Sequence, residues 1–153
     1  MRRQFLVGNR HLLLVVGVAV AALLTLTGCG SSADALQVKD TSLGKVVTDS
    51  KGMTLYMFDK DKQGAPTSSC TGECLVAWPP LLAGDGKPEG KDISAKFATI
   101  NTPDGKKQVT LDGWPLYYYV KDKAPGDVLG QAVGDVWWVM APDGTLIKTK
   151  PGA

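Results

Sequence analysis

The sequence predicts a mostly β, single small domain, built from two pseudo-repeats of antiparallel strands with one or two short helices. Three observations support this fold class. Short apolar runs alternate with turn residues such as Pro-Asp-Gly, which is the pattern of β-hairpins. Helical periodicity is weak beyond the first 28 residues. One apolar segment recurs 61 residues later in a closely similar form, and such recurrence is typical of repeat architectures.

The recurring segment combines an aromatic run with an end that contains lysine and aspartate. Leu55–Lys62 and Leu116–Lys123 are identical at five of eight positions. We therefore predict a first repeat over about residues 43–83 and a second over about residues 96–148. Two units of this size are too small for separate cores, so their aromatic strands should be buried against each other.

A tryptophan follows the recurring segment in both repeats. Trp78 lies 22 residues after Tyr56, and Trp138 lies 21 residues after Tyr117. The same order of strand, loop and tryptophan therefore occurs twice. Core packing of a small β domain explains this aromatic density, and an exposed binding patch is the alternative; further rings are at Trp114, Trp137, Tyr118 and Tyr119.

The other predicted elements follow from apolar runs and the residues between them. Hairpins are predicted at three places: Lys45–Thr48 with Met53–Phe58 around Asp49–Gly52, Phe97–Ile100 with Gln108–Leu111 around Pro103–Gly105, and Val136–Met140 with Thr145–Lys148 around Pro142–Gly144. The remaining predictions are a strand at Leu116–Val120, short helices at Glu73–Trp78 and Asp127–Val133, and a loop between the halves at Gly84–Asp92.

The N-terminus has the three parts of a bacterial secretory signal. Three arginines and no acidic residue occupy the first ten positions, and an uncharged apolar run covers Leu12–Leu26 before the small residues Thr27 and Gly28. As a helix this run is about 22 Å long, short of the roughly 30 Å hydrocarbon core of a membrane. Residues 1–28 are therefore predicted to be a cleaved signal peptide rather than a transmembrane helix.

The end of this segment, Leu26-Thr27-Gly28-Cys29, resembles the lipobox of bacterial lipoproteins, where the thiol receives a diacylglyceryl group. Cys29 is thus the predicted site of lipidation and the first mature residue. Two or more acyl chains, palmitate among them, hold a protein stably on a membrane. We expect a lipid anchor on the extracytoplasmic side of the cell envelope, a flexible tether over residues 29–40 and the β domain over residues 41–150.

The route of export is open. Arg2-Arg3-Gln4-Phe5-Leu6 resembles the twin-arginine signal of proteins that cross the membrane folded. Many ordinary signals also begin with two arginines, so both routes fit the sequence.

The composition of the mature chain excludes several classes of function. Three of the 17 basic residues are signal-peptide arginines, which leaves 14 lysines against 15 acidic residues. This balance does not favour nucleic acid, and without arginine there is no bidentate grip on phosphate or carboxylate. The sole histidine, His11, lies in the signal, which excludes Ser-His-Asp catalysis and His-ligated zinc. We predict a non-enzymatic protein without cofactor or metal.

Cys70 and Cys74 are the two cysteines that follow Cys29. An exported protein lies in an oxidising compartment, so a disulfide is the default expectation. Closing so short a loop would contribute only about 2 kcal/mol and would hold a local turn. The alternative is a redox or copper site, supported by the thioether sulfurs of the methionines at Met53, Met57 and Met140.

One motif occurs in both repeats. Tyr56–Asp61 and Tyr117–Asp122 each have the form Tyr-x-aromatic-x-x-Asp. This motif resembles that of a family of bacterial secreted repeat lipoproteins of unknown function, and the Cys-x-Gly-x-Cys element followed by Trp-Pro-Pro-Leu looks like the first repeat of that family. With the lipobox, the resemblance covers essentially the whole mature chain. It implies an extracytoplasmic tandem-repeat domain and brings no catalytic residue.

Two interpretations fit the six motif residues, which are Tyr56, Phe58, Asp61, Tyr117, Tyr119 and Asp122. In the structural interpretation, the aromatic side chains share one face of a strand that is buried on both sides. Each aspartate then accepts backbone N–H bonds at a turn. In the functional interpretation, the two aspartates form a symmetric site for a cation or ligand, although their spacing is not that of a calcium loop.

Together these features favour a membrane-tethered, non-enzymatic module that binds a ligand or protein at the cell envelope. The alternative is a redox or copper-handling lipoprotein that uses Cys70 and Cys74. A third class, an enzyme that relies on aspartates alone, needs a constellation that the sequence does not show. The expected partners are the membrane, through the lipid on Cys29, and an envelope protein or small ligand, but no nucleic acid.

Overall fold

A computed structural model describes residues 35–150, and their architecture is mostly β. The elements follow in the order β1 (Gln37–Thr41), β2 (Gly44–Thr48), β3 (Tyr56–Phe58), α1 (Glu73–Ala77), β4 (Phe97–Asn101), β5 (Lys107–Leu111), β6 (Trp114–Pro115), a 3-10 turn (Val133–Asp135), β7 (Trp137–Met140) and β8 (Leu146–Ile147). Every two strands that pair by hydrogen bonds are antiparallel. The predicted fold class is confirmed.

The strands form three small sheets, and the central one joins the two repeats. The sheet orders are β1–β2, β3–β7–β8 and β4–β5–β6, so β3 of the first repeat pairs with β7 of the second. Tyr56 also exchanges two backbone hydrogen bonds with Tyr117, at N···O distances of 2.8 and 2.9 Å. On its other side Tyr117 bridges to Pro80. Each motif segment therefore lies beside the tryptophan-containing segment of the other repeat.

Two apolar clusters occupy the two faces of the central strands. Leu55 and Met57 enter one cluster, and Tyr56 and Phe58 enter the other. This is the alternation predicted for a strand that is buried on both sides, and all four side chains are at most 8 % exposed. Burying one such side chain contributes about 1.5–3 kcal/mol, so the central strands are held mainly by these contacts.

Two of the three predicted hairpins are present. β4 and β5 pair around Pro103–Gly105, and β7 and β8 pair around Pro142–Gly144. The closing residues Gly105 and Gly144 have φ angles of 81° and 86°, a left-handed conformation that glycine adopts without strain. At these two places the turn residues alone therefore predict the hairpin correctly.

The third predicted hairpin is much shorter than predicted and pairs only next to its turn. The Asp49 N–H donates to the Met53 carbonyl oxygen at 2.9 Å, and Thr48 faces Thr54 in a single bridge. The Leu55 N–H still donates to the Val47 carbonyl at 3.2 Å, and beyond this bond the two segments separate. The reason is competition between partners, because β2 pairs with β1 and β3 pairs with β7.

Other predicted elements differ in their outcome. Glu73–Trp78 is helical as predicted, over α1. Leu116–Val120 is not a regular strand, because only Tyr117 within it forms bridges. The helix predicted over Asp127–Val133 is replaced by turns and the 3-10 turn, since Ala132 has a φ of 61° and a right-handed helix cannot continue through that conformation.

The folded domain begins earlier than the sequence predicted. β1 lies largely within residues 29–40, the stretch assigned to a flexible tether, and Leu36 before it is 1 % exposed. The Leu36 N–H donates to the Glu89 carbonyl at 2.8 Å, and the Leu36 carbonyl accepts from the Lys91 N–H at 2.9 Å. The predicted loop Gly84–Asp92 thus forms hydrogen bonds with the first residue of the folded domain. The prediction of a flexible tether is wrong from residue 36 onward.

Export and anchoring were predicted from residues outside the described part of the chain. The signal peptide at residues 1–28, the lipidation site Cys29 and the tether residues 30–34 all fall there. Over residues 35–150, no helix combines the length and the apolar character that crossing a membrane requires.

Candidate functional site

The tyrosines and aspartates of the two motifs bind each other across the repeat interface. The Tyr56 hydroxyl donates to Asp122 Oδ2 at 2.7 Å, and the Tyr117 hydroxyl donates to Asp61 Oδ2 at the same distance. Both tyrosines are fully buried, and the aspartates are 5 % and 7 % exposed. Each motif therefore supplies a donor to the other repeat and accepts one from it. We call this pair of hydrogen bonds the reciprocal clasp.

The second oxygen of each carboxylate is bound by the backbone of its own repeat. The Ser69 N–H donates to Asp61 Oδ1 at 2.5 Å, and the Leu129 N–H donates to Asp122 Oδ1 at 3.0 Å. A backbone N–H bond to each aspartate is what the structural interpretation of the motif requires. The bond from the tyrosine of the other repeat could not be seen in the sequence, because it depends on how the repeats dock.

A column of four stacked rings crosses the interface beside the clasp. At one end, Phe58 stacks on Trp137 with ring centroids 4.2 Å apart. At the other end, Tyr119 stacks on Trp78 at the same distance. The two tryptophans stack on each other between them at 3.8 Å. The column thus relates the two repeats by an approximate two-fold axis, and stacked pairs contribute about 0.5–1.5 kcal/mol beyond their burial.

Trp137, rather than Trp138, is the repeat equivalent of Trp78. Adjacent strand residues point to opposite faces. Trp137 shares the face of the motif rings, whereas Trp138 enters the other cluster. The equivalence predicted between Trp78 and Trp138 is therefore wrong. Both members of the Trp137–Trp138 pair are at most 5 % exposed, so they do not form the exposed aromatic patch that the sequence left open.

Asp59 holds Trp138 in place and was not singled out from the sequence. Trp138 Nε1 donates to Asp59 Oδ2 at 2.7 Å, and Lys148 Nζ pairs with the same oxygen at 3.0 Å. The Lys148 ammonium also lies 5.2 Å from the Trp138 ring centroid. One signal could have found this residue: Asp59 aligns with Val120, which is a position where the two repeats differ.

Burial shifts the proton affinity of all four groups in the clasp. Desolvation is the largest cause that raises the pKa of Asp61 and Asp122, while hydrogen bonds to the carboxylates act in the opposite direction. Desolvation also raises the pKa of Tyr56 and Tyr117, and the adjacent carboxylate adds to this effect. The tyrosines are therefore neutral donors at physiological pH. With both carboxylates bonded twice, the clasp offers no free group for acid–base chemistry.

Cys70 and Cys74 form the predicted disulfide. Cys70 is 1 % exposed and lies in the second apolar cluster, whereas Met57 and Met140 lie in the first. These two methionines therefore belong to a different cluster from the bridge, which does not favour their support of a copper site there. In the described part of the chain, no group of three or more His, Cys, Asp or Glu side chains is placed to hold a metal ion.

A largely apolar surface cleft of about 390 Å³ lies outside the clasp. One wall comes from α1 and the segment after it, and the other comes from the tip of the β4–β5 hairpin; the lining residues are Leu75, Pro79, Pro80, Leu82, Thr102, Pro103, Asp104 and Lys106. The two walls belong to different repeats. The sequence alone therefore gave no signal for this cleft.

A family model described as a secreted repeat of unknown function matches the chain twice, over residues 37–82 and 98–141. The chain belongs to this secreted-repeat family. The two matches together span more than half of the chain, and each contains one motif, so the clasp joins one family repeat to the other. As a member of the secreted-repeat family, the protein is extracytoplasmic. No curated protein and no solved structure matches it.

Replacing both partners of one clasp bond should reveal their coupling. Tyr117→Phe removes the donor, and Asp61→Asn removes the charge of the acceptor and replaces one of its two oxygens with an NH2 donor. Each change should lower the free energy of unfolding by about 1–3 kcal/mol, because a buried polar group is left unsatisfied. The double variant should lose less than the sum of the two single losses. Urea denaturation of the four proteins measures the difference.

The matched control combines Tyr56→Phe with Asp61→Asn, since these two residues belong to one motif and share no hydrogen bond. Their losses of stability should be nearly additive. A larger coupling within one motif than between the two motifs would show that the clasp is not what joins the repeats.

The buried tyrosines also predict a loss of stability at alkaline pH. Their pKa is raised in the folded state, whereas in the unfolded chain they ionise near pH 10, roughly their ordinary value. The folded state then keeps protons that the unfolded state releases, so stability is complete below about pH 10 and falls as the pH rises further. The slope should approach about 1.4 kcal/mol per pH unit for each tyrosine.

Urea unfolding from about pH 8 to about pH 11 measures this slope, a range that brackets the ordinary pKa of tyrosine. The Tyr56→Phe/Tyr117→Phe variant is the comparison, because it lacks both hydroxyls and should decline less steeply. An equal decline in the two proteins would mean that other groups, such as the lysines, cause the effect.

Proposed function

We propose that this protein is a lipid-anchored binding module of the cell envelope, without catalytic activity, and that its cleft takes an uncharged apolar ligand. The anchor is the lipid predicted on Cys29. Leu36, the first buried residue, follows only seven positions later, and seven residues span at most about 25 Å when extended. The domain that carries the cleft would thus be held close to the membrane surface, where apolar molecules collect.

The character of the cleft is the observation that carries the proposal. Five of its lining residues are leucines or prolines, and its two charged side chains, Asp104 and Lys106, already pair with each other at 2.7 Å. A charged ligand would find no unpaired partner there, so the lining favours an uncharged one. The volume of about 390 Å³ falls within the usual range of small-molecule sites, roughly 300–1,000 Å³.

The absence of catalysis is supported by the way in which the clasp uses its polar groups. The motif tyrosines and aspartates bond to each other and to the backbone, so none of them is available to a substrate. The chain beyond the predicted signal peptide contains no histidine. The motif side chains therefore provide no accessible general base or activated nucleophile, and histidine, the usual general base, is absent from that part of the chain.

A redox or copper-handling role for Cys70 and Cys74 is the alternative. It requires the disulfide to open, since the thiolate is both the nucleophile and the metal ligand. Cys70 is 1 % exposed, which hinders access to its sulfur, and Cys74 is half-buried. Ligand binding at the cleft needs no such change, and we favour it for this reason.

The anchor predicts that Cys29→Ala abolishes membrane attachment. Cells fed an alkyne-bearing fatty acid should label the wild-type protein, and the variant should lose the label and leave the membrane fraction. Cys70→Ser/Cys74→Ser is the matched control and should keep both the label and the attachment. A label that persists on the Cys29→Ala protein, or an uncleaved leader in the native protein, would remove the anchor from the proposal.

The cleft predicts binding of N-phenyl-1-naphthylamine, an uncharged apolar fluorophore. Residues 30–153, exported behind a signal without a lipobox, allow the titration to be made without detergent micelles. Leu82→Asp should weaken binding about tenfold or more. The reason is that it removes an apolar side chain, whose burial contributes about 1.5–3 kcal/mol, and adds a charge. Fluorescence titration gives the dissociation constants.

Val76→Asp is the matched control for the cleft. Val76 is 66 % exposed on α1 and does not line the cleft, so its replacement should leave the affinity unchanged. Equal affinity in the Leu82→Asp protein would place the probe elsewhere, and no binding to the wild type would contradict an apolar ligand. A protein partner would be revealed instead by cross-linking in intact cells from a photoreactive residue at position 82.

A further inference from the structure

Strand β4 lies at the edge of its sheet, and within residues 35–150 it lacks the usual protection against pairing with another chain. It covers Phe97–Asn101 at one end of the β4–β5–β6 sheet, and none of its residues is charged or proline. All five are exposed or half-buried. Natural edge strands are normally shielded by charges, proline, bulges or a covering segment, so β4 is exceptional.

The ladder between β4 and β5 shows which backbone groups of β4 are used. In an antiparallel pair, the residues that exchange hydrogen bonds alternate with residues that do not. Just before the strand, the Asp112 N–H donates to the Lys96 carbonyl at 2.8 Å, and just after it, the Thr102 N–H donates to the Lys106 carbonyl at 2.9 Å. The bonds to β5 therefore fall at the even-numbered residues of β4.

The odd-numbered residues of β4 consequently direct their backbone groups outward. These are Phe97, Thr99 and Asn101, with one N–H and one C=O each. No hydrogen bond from elsewhere in residues 35–150 reaches these groups. The outer edge of β4 is thus a row of donors and acceptors with the spacing of a β-ladder.

Other sheet edges of the protein carry the protection that β4 lacks. At β1, Lys39 and Asp40 bring charge to the strand. At β8, the Gln131 side-chain amide donates to the Ile147 carbonyl at 2.6 Å. At β6, the sheet ends with Pro115, which has no N–H to offer.

We propose that β4 pairs antiparallel with β4 of a second copy of this chain, about a two-fold axis at Thr99, to form a homodimer. Thr99 of one copy then bonds to Thr99 of the other, and Phe97 of each copy bonds to Asn101 of its partner. The two three-stranded sheets become one six-stranded sheet. A closed two-fold contact of this kind is the commonest symmetry of soluble oligomers.

The sequence of β4 is complementary to itself in this register. Phe97 lies across from Asn101, and Ala98 lies across from Ile100. No like charges meet, since the strand carries none and the flanking Lys96 has no lysine opposite it. Phe97 and Ile100 are only half-buried in one copy, and the contact would cover more of their apolar surface. A second copy therefore fits the edge without any further partner.

A cysteine at position 99 tests this contact in intact cells. Two residues that face each other at a hydrogen-bonded antiparallel pair have Cα atoms roughly 5.5 Å apart, within the range of a disulfide. Thr99→Cys should therefore give a dimer of twice the chain mass on a non-reducing gel, and reductant should remove it. Ala98→Cys is the matched control, because its cysteine faces Ile100 and should give little dimer.

Thr99→Pro supplies an independent measurement on purified residues 30–153, exported behind a signal without a lipobox so that no detergent is needed. Proline removes one outward N–H and leaves the bonds to β5 in place. The melting temperature should change by a few degrees at most, while light scattering over a concentration series should show the wild type as a dimer and the variant as a monomer. If Thr99→Pro does not fold, Thr99→Lys places two like charges face to face and should give the same monomer.

Three results would overturn the proposal. The first is an equal yield of dimer from Thr99→Cys and Ala98→Cys. The second is a cross-linked product whose mass is not twice that of the chain, because it would identify a different partner for β4. The third is a wild-type protein that stays monomeric throughout the concentration series.

Discussion

Two buried tyrosine–aspartate hydrogen bonds, each joining one repeat to the other, are the constraint on which the rest of this structure depends. A carboxylate that leaves water for an apolar core is costly unless its oxygens are bonded. Asp61 finds one donor in its own repeat and the other, Tyr117, only across the interface, and Asp122 is bound in the same way. The carboxylates therefore gain their full set of hydrogen bonds only when the two repeats dock.

The backbone pairing of the two motif segments determines where the aromatic rings lie. Because the two motif segments exchange backbone bonds at Tyr56 and Tyr117, an approximate two-fold axis passes between them and brings Trp78 onto Trp137. The symmetry ends outside this centre. Asp59 has no acidic counterpart in the second repeat, and only the first repeat contains a disulfide. These asymmetries leave the two repeats with different surfaces.

The function that we propose lies on those surfaces, because the motif tyrosines and aspartates bond to each other and to the backbone. The cleft and the edge strand β4 both involve the β4–β5 hairpin, which contributes no residue of either motif. Their chemistry is also different from that of the clasp. The cleft is apolar and its two charged side chains pair with each other, and the edge offers backbone groups that no other residue in the range 35–150 bonds. Both properties fit the binding role that we propose.

The sequence by itself determined what depends on nearby residues. The turn residues predicted the hairpins at Gly105 and Gly144, and the apolar alternation predicted the two-sided burial of the first motif strand. The oxidising compartment expected of an exported protein predicted the Cys70–Cys74 disulfide. The tertiary structure alone decided that each motif aspartate binds the tyrosine of the other repeat, 56 or 66 residues away. It also decided that Trp137 is the equivalent of Trp78. Such pairings depend on which segments compete successfully for the same partner, and that outcome is a property of the whole packed chain.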